Sequence, residues 1–407
     1  MNPTPSPEKP RLHSWWLVLL GIFTATGPLS MDMYLPSFPL VEKALGAQPG
    51  SMEFTLASFF IGLTLGMLFY GPVSDRFGRK KPLYFGFFLY TTAALGCALS
   101  DSITAIGLWR FIQGIGGCAG IMMPSAIVRD RLPAQESARA LSMLMLVMGL
   151  APIVAPLLGG WILTLWGWRV IFIVLAAFGG FCLTTALLAL SESHDTEHEP
   201  PLRLGSVLGN YRYLLTNRTF LGFAMSTGLT WSGMFAYLAG SPFVLIDLHG
   251  IRPDHYGWYF GVNAFGLIAS SQINAYMLRA HTPTEILRRA LWIPPIVGIF
   301  MFILSYGELI PLPWVLVGFF LFVSSVGWIA PNAMASLLAT HGQMAGTAAS
   351  LAGAMQFLFA TIAGALVGTF NNGTDQPLAM VMAACGLGAW LSHRTLIGLP
   401  HPKRPGA

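Results

Sequence analysis

The stretch Gly71-Pro72-Val73-Ser74-Asp75-Arg76-Phe77-Gly78-Arg79-Lys80-Lys81 lies between two long apolar runs. Its four cations and single carboxylate cannot lie in hydrocarbon, so the stretch predicts a short turn that leaves a membrane. Gly71 and Gly78 allow tight backbone geometry on either side of the turn. We therefore expect a membrane-spanning helix before the turn and another after it.

The composition extends this expectation to the whole chain. The 407 residues are 54% hydrophobic and only 10% charged, and the mean hydropathy is +0.63. A helix of about 20 apolar residues crosses a bilayer. We count twelve such stretches, which predict an all-α integral membrane protein with spans at 14–35, 52–72, 82–100, 103–125, 140–162, 168–190, 219–245, 255–278, 288–307, 312–335, 345–370 and 376–397.

A polar segment divides the spans into two sets of six. We expect an N-terminal six-helix bundle at 1–190, a cytoplasmic linker at 191–218 and a C-terminal six-helix bundle at 219–407. Equal sets of spans on either side of a polar linker are typical of transporters built from two pseudo-symmetric halves. The first span is too long for a signal peptide, so we expect it to be retained.

The distribution of cations predicts the orientation of the chain in the membrane. Of 22 lysines and arginines, Lys43, Arg169 and Arg252 fall on one side, Arg110 lies within a span, and the remaining 18 fall on the other side. Cytoplasmic loops carry the excess of cations. We therefore expect a multi-pass protein of the cell inner membrane with both termini in the cytoplasm.

Several functional classes lack support in the sequence. The cations do not form a stripe interleaved with aromatic residues, so we expect no nucleic-acid partner. The run from Gly114 to Gly120 follows no strand and lacks the P-loop lysine, so we expect no nucleotide site. No cluster of catalytic or metal-ligating residues occurs at one membrane depth. We expect no enzyme activity, cofactor or metal.

Asp32 is the only acidic residue that we place deep within a predicted span. Low dielectric disfavours a carboxylate and favours its neutral acid, which makes proton uptake feasible. Small residues at Pro28, Ala25 and Gly21 precede it on the same helical face and leave room for a cavity. Alternatively, Asp32 only hydrogen-bonds to a neighbouring helix or lies at the wet outer interface.

Arg110 is the only base that we place within a span. A cation there must find a carboxylate, backbone carbonyls or a water-filled cavity. Gln113, Gly114 and Gly117 share its helical face, which allows a neighbouring backbone to approach closely. Arg110 is therefore a candidate for coupling to protonation, or else a structural clamp between helices.

A candidate substrate pocket can be assembled from residues at helical spacing in several spans. The seventh span offers aromatic and methionine side chains that can repack around apolar ligands, and later spans offer amides, hydroxyls and an indole. Such residues also occur in ordinary bundle cores and interhelical hydrogen bonds. The candidates are Tyr34, Gln113, Trp231, Met234, Phe235, Asn263, Ser270, Trp328 and Gln356.

The fifth span contains two prolines four residues apart, Pro152 and Pro156, followed by Gly159. Proline removes an amide donor, and glycine permits bending, so we expect this helix to be kinked or pliable.

Taken together, these residues resemble the major facilitator superfamily over essentially the whole chain. The turn at Gly71–Lys81 resembles the signature of its first cytoplasmic loop, and Arg110-Phe111-Ile112-Gln113-Gly114 resembles its proton-coupling motif. Asp32-Met33-Tyr34-Leu35-Pro36, Val128-Arg129-Asp130 and Gly240-Ser241-Pro242-Phe243 are similar to the bicyclomycin-resistance (Bcr/CflA) drug:proton antiporters.

The resemblance implies roles for individual residues. Asp32 would bind protons or substrate, Arg110 would tune or relay its state, and Asp75 with Arg76 would latch the inner gate. The fifth span resembles an antiporter motif, although Ala151 and Ala155 precede its prolines. The residues implied in gating are Gly71, Asp75, Arg76, Gly78, Arg79, Pro152, Pro156 and Gly159.

The leading hypothesis is a monomeric drug:proton antiporter in the lipid bilayer. It would export small apolar or amphipathic antimicrobials by alternating access, in exchange for protons. A first alternative is a proton-linked transporter of a specific metabolite such as a sugar, an amino acid or a purine. An integral-membrane enzyme is a remote alternative.

Topology reporters fused to each terminus test the predicted orientation. Because most cations fall on one side of the spans, we expect a cytoplasmic signal from both fusions. A periplasmic signal from either fusion would contradict the arrangement with twelve spans. A fusion within the turn at 45–50 serves as the control, and it should give a periplasmic signal.

Overall fold

A computed structural model describes residues 15–193, 204–307 and 309–397, and every regular element in these ranges is a helix. The predicted orientation of the two termini therefore lies outside the described residues. The α-helices are α1 Trp15–Thr24, α2 Thr26–Asp32, α3 Phe38–Ala44, α4 Ser51–Phe77, α5 Lys80–Ala98, α6 Ile103–Arg131, α7 Ala134–Trp166, α8 Trp168–Ala189, α9 Leu204–Thr216, α10 Arg218–Pro242, α11 Pro253–Met277, α12 Pro283–Ala290, α13 Ile293–Leu304, α14 Leu312–Thr340, α15 Ala345–Thr369 and α16 Gln376–Leu396.

The apolar helices agree with the predicted all-α membrane fold. Within the described ranges, nine helical stretches are long and apolar enough to cross a membrane. The three other predicted spans correspond to α5, α11 and α16, which have 19, 25 and 21 residues. These three are long enough but less apolar, so the count of twelve spans stays a prediction.

The first span is a broken helix rather than one continuous rod. It consists of α1, α2, a 3-10 turn at Leu35–Ser37 and α3. Pro28 and Pro36 each lack an amide donor, and the hydroxyls of Thr24 and Thr26 donate to the carbonyls of Gly21 and Phe23 near the first break. The break leaves Asp32 at the end of the short α2.

The helices form two groups that meet along two principal pairs. Helices before residue 193 pack mainly among themselves, as do those after residue 204, and α4 packs on α15 while α7 packs on α11. We call these groups the first and second halves. The boundaries predicted at 1–190, 191–218 and 219–407 stay a prediction. Within the predicted linker, the described part contains α9, which contacts α10 and α15.

The halves touch through their backbones at one end of the bundle. We call the end that carries the Gly71–Lys81 turn the motif end and the opposite end, where Met33 and Gly50 lie, the far end. At the far end, the spaces beside the α-carbons of Gly50 and Gly257 are occupied by backbone atoms of Gly368 and Leu157. The far end is therefore closed.

Helix α7 is continuous despite its prolines. Both Pro152 and Pro156 lie inside the 33-residue α-helix, so the predicted kink is not an interruption of the helix. Gly159 packs directly on the Met33 carbonyl of the first span. This contact needs a residue without a β-carbon.

Glycines also set a close contact between α4 and α6 in the first half. A β-carbon at Gly114 of α6 would overlap the Phe59 carbonyl of α4, whereas one at Gly107 would lie 3.6 Å from the Ser58 hydroxyl. These two glycines of α6, which differ so much in the space around them, provide a matched pair of substitutions.

We expect Gly114→Ala to destabilise the protein and Gly107→Ala to be nearly neutral. The added methyl at Gly114 must push α4 away, and such overpacking costs about 1–3 kcal/mol. Thermal unfolding of the purified variants in detergent measures the difference. Equal melting temperatures for the two variants would contradict the close approach of α4 and α6.

Candidate functional site

Asp32 lies buried where the two halves meet. Only 3% of its surface is exposed, and its side chain makes no hydrogen bond or ion pair within the part of the chain that the structure describes. The neighbouring 3-10 turn packs against α10 and α11 of the second half. The Tyr237 and Tyr256 hydroxyls of these helices lie within electrostatic range of Asp32.

The two tyrosines belong to a buried polar network. The Asn263 amide donates to the Tyr237 hydroxyl over 2.9 Å, and the Tyr256 and Ser241 hydroxyls lie 2.8 Å apart. All four side chains are buried. Asp32 therefore faces groups that can rearrange their hydrogen bonds when its charge changes, rather than a fixed counter-ion.

Arg110 is fully buried among uncharged groups of the first half. Its guanidinium donates to the Gln113 side-chain oxygen over 2.6 Å and to the Ser30 carbonyl over 2.9 Å. The ring centroids of Tyr34 and Phe59 lie 4.3 and 4.2 Å from its central carbon. Cation–π contacts and carbonyls thus replace a carboxylate as its partners.

Arg110 and Asp32 are not an ion pair within the described residues. The connection between them runs through α2: Arg110 holds the carbonyl of Ser30, which lies two residues before Asp32. The Ser30 hydroxyl also lies 2.7 Å from the Tyr90 hydroxyl on α5. Movement of α2 would therefore change the environments of both buried charges.

An aromatic cluster crosses from one half to the other beside these charges. The Phe235 ring of α10 lies 4.7 Å from Phe60 of α4 and 5.8 Å from Phe357 of α15. Trp231 stacks on Phe235 at 5.7 Å. The predicted residues Trp231 and Phe235 thus lie together in a largely buried apolar cluster that joins the two halves.

The other predicted pocket residues do not all join this cluster. Met234 is buried in α10. Ser270 donates to the Leu267 carbonyl of its own helix, and its hydroxyl packs against Gly327. Trp328 and Gln356 are half-buried. Tyr34 and Gln113 instead surround Arg110, and Asn263 belongs to the tyrosine network.

The motif turn forms a compact charged cluster around Arg79. Its guanidinium donates to Asp75 over 2.6 Å, to the Ser74 hydroxyl over 2.7 Å and to Asp130 over 2.8 Å. Burial acts to lower the pKa of Arg79, but the hydrogen bonds and charges of Asp130 and Asp75 outweigh it and raise the pKa. This cluster joins the ends of α4 and α6.

Asp75 pairs with Arg79, whereas Arg76, the residue that the family resemblance groups with Asp75 in the inner gate, takes no part in this ion pair. Arg76 is exposed and forms no ion pair with a described residue. A Glu192 carboxylate accepts from the backbone amides of Arg79 and Lys80, over 2.9 and 3.2 Å, at the start of α5. Gly78 has a φ of +85° and packs beside the same carboxylate.

Several residues of these sites were not singled out from the sequence. Glu53 is only 3% exposed although it lies at the start of its span, so Asp32, the acid placed deep within a span, is not the only buried acid among the described residues. Glu53 lies in the first turn of its helix. Acidic residues are common there because they interact favourably with the helix dipole, so the sequence did not indicate that this one is buried. Phe60 and Phe357 carried no signal because their aromatic partners are distant in sequence.

The family model of the Major Facilitator Superfamily matches residues 18–366. The chain belongs to the major facilitator superfamily. It is therefore a multi-pass membrane transporter and not an enzyme.

Curated relatives cover most of the chain. The uncharacterized MFS-type transporter YdgK of Bacillus subtilis is 34% identical over 89% of this chain and 90% of its own length. A bicyclomycin resistance protein homolog of Haemophilus influenzae is 32% identical over 91% of this chain and 93% of its own. The multidrug resistance protein MdtL of Klebsiella pneumoniae is 29% identical over 68% of each chain. The family resemblance to drug-efflux transporters is thus confirmed.

Solved structures share the superfamily fold. The nucleoside transporter NupG superposes with a TM-score of 0.74 at 12% identity and covers 93% of this chain and 98% of its own. An inward-facing bacterial homolog of the human lysosomal transporter Spinster gives 0.70 at 15% identity and covers 97% and 98%.

We expect Arg110→Lys to impair transport strongly although it keeps the positive charge. An ammonium cannot donate to Gln113 and Ser30 in the same planar geometry or stack between two rings. Uptake or efflux of a substrate by membrane vesicles measures the effect, and Arg169→Lys at an exposed ion pair is the control. Equal rates for both variants would assign Arg110 a plain structural role.

Proposed function

We propose that this transporter is a drug:proton antiporter that exports small apolar or amphipathic antimicrobials by alternating access. It would act as a monomer in the inner membrane with both termini in the cytoplasm. The names of the Haemophilus influenzae and Klebsiella pneumoniae relatives, which refer to bicyclomycin and multidrug resistance, support this substrate class.

The environment of Asp32 carries the proposal for proton coupling. A buried carboxyl with no counter-ion among the described residues is costly when ionised, and it gains stability by taking up a proton. Its position between the halves means that a change in solvent access on either side changes the cost of its charge. One carboxyl can therefore link proton uptake to the opening of either side.

The proposed exchange follows from differential affinity. Asp32 would take up a proton while it faces the outside, release it while it faces the inside, and favour a different arrangement of the Tyr237 and Asn263 network in each state. A ligand drives a conformational change only by binding the two states unequally. The proton at Asp32 and the substrate at the cluster around Phe235 would each bind the two conformational states with different affinity.

The proposed gating residues lie at both ends of the bundle, and each set would control opening at its own end. At the motif end, the Arg79 cluster ties α4 to α6 and would have to rearrange as the halves rock. At the far end, the contact of Gly159 with Met33 would hold α7 against the first span, and the contact of Gly257 with the Leu157 backbone between the halves would have to open. The structure has its far end closed, and the proposed cycle also requires a state in which the far end is open and the motif end is closed.

We expect Asp32→Asn to abolish drug export while the protein stays in the membrane. The test expresses the protein, Asp32→Asn or the exposed-site control Asp101→Asn at matched membrane levels, in a host that lacks its own drug pumps. Growth is measured across a panel of antimicrobials. Resistance to several unrelated compounds that persists in the control and disappears in Asp32→Asn would support the proposal.

Proton coupling needs its own readout. Addition of a protective compound to acidified inverted vesicles should release protons through the protein, and Asp32→Asn should not respond. No protection against any compound would overturn drug export and favour a dedicated metabolite transporter. Full export by Asp32→Asn would remove Asp32 from the mechanism.

A further inference from the structure

Three carboxylates from separate elements come together at the far end. Glu42 lies on α3, Glu53 in the first turn of α4, and Asp247 in the π-helical segment Phe243–Leu248 that extends α10. Glu42 accepts a hydrogen bond from the Met52 amide over 2.9 Å, which holds it against the start of α4. All three carboxylates lie within electrostatic range of one another.

Glu53 is the buried member of this cluster, and it is directed at the other half. Its surface is only 3% exposed, and its Oε2 atom has no hydrogen-bond partner among the described residues. The side chain lines a narrow crevice with Phe243 and Val244 of the second half and with Val367 and Asn371 of α15 and its following loop. An acid with one oxygen that has no described hydrogen-bond partner thus lies within the closed interface.

No described cation compensates this group. Of the elements packed around it, α3 contributes Glu42 and the π-helical segment contributes Asp247, whereas the residues of α15, its following loop and α16 that line the crevice have no titratable side chain. Asp375 lies next to the crevice residue Thr374 in the sequence, but its carboxylate accepts a hydrogen bond from the Ile310 amide and interacts electrostatically with His249. In this setting, burial and two like charges both favour the neutral acid of Glu53.

The crevice lies directly beneath a backbone contact that closes the far end. Gly50 has a φ of +90°, and a β-carbon at Gly368 would lie 2.7 Å from the Gly50 carbonyl and 3.2 Å from the Glu53 β-carbon. The crevice beside Glu53 has a volume of only about 10 Å³, roughly the space of a single water, which cannot hydrate a carboxylate. An ionised Glu53 requires hydration, and hydration requires this contact to separate.

We propose that Glu53 is a second proton-binding site, separate from Asp32, whose protonated form holds the far end closed. Loss of its proton favours separation of α4 from α15 and the π-helical segment. Glu42 and Asp247 raise the cost of the ionised state and so set the pH at which the far end opens. The inference rests on the proposed alternating access but on no particular substrate.

The experiment measures access to the crevice as a function of pH. Val367→Cys introduces a thiol into the crevice, whereas the native cysteines Cys97, Cys118, Cys182 and Cys385 are buried. Purified protein in lipid nanodiscs is labelled with a membrane-impermeant thiol reagent from pH 5 to pH 9, without substrate. Rates are divided by those of the exposed Asp101→Cys, which removes the intrinsic pH dependence of thiols, and the parent protein gives the background.

We expect the normalised labelling of Val367→Cys to rise on the order of tenfold through one titration as the pH increases. Adding Glu53→Gln, which cannot ionise, should keep labelling low at every pH. Asp247→Asn removes a neighbouring negative charge at the exposed rim, so ionisation of Glu53 becomes easier and the midpoint should move to lower pH. Asp101→Asn, at the same end but outside the cluster, should leave the midpoint unchanged.

Three outcomes would overturn the proposal. One is labelling of Val367→Cys that does not change with pH, and another is an unchanged titration in the Glu53→Gln background. The third is suppression of labelling by Ca²⁺ with no dependence on pH, because a metal cation would then be the neutralising species. The labelling needs no drug and leaves Asp32 intact, so its result is independent of the growth assay.

Discussion

The high free-energy cost of an ionised group in a low-dielectric interior determines where the charged side chains of this protein lie and which partners they need. Among the described residues, most cations lie near helix ends or in turns rather than in the middle of a span, and the Arg79 cluster is one example. Asp32 and Arg110 are exceptions that lie within the spans and do not neutralise each other. Arg110 is stabilised by fixed carbonyl, amide and aromatic partners. Asp32 has no such set, so its charge depends on the conformation around it.

The sequence predicted the helices well because bilayer thickness and hydropathy are local constraints. Apolar runs marked the spans, and the charged turn after Gly71 marked a loop. Breaks within spans were harder to place: the two prolines of α7 leave that helix continuous, whereas the first span divides near Pro28 and again before Pro36. Whether a proline interrupts a helix depends on neighbouring side chains and helices that accommodate the lost hydrogen bond, and these are not local properties.

The charged residues of the candidate site could be predicted from the sequence, but the residues that contact them could not. A carboxyl or guanidinium within an apolar run is visible in the sequence, so Asp32 and Arg110 were found. Their separation was not visible, because it depends on how α2 docks against α6. The same limit explains the aromatic cluster, where Phe235 meets Phe60 from another half of the molecule. Residue type predicts which groups need a partner, and only tertiary packing determines which partner they obtain.

The hydrogen bonds of Glu192 have a consequence for how the molecule can be divided. This carboxylate lies beyond the last helix of the first half, yet it accepts from the amides at the start of α5, and Arg131 donates to the adjacent Ser191. The beginning of the connecting segment is thus part of the first half. If the two halves are produced as separate polypeptides and allowed to reassemble, the cut should fall after Ser193, because an earlier cut would remove the cap of α5.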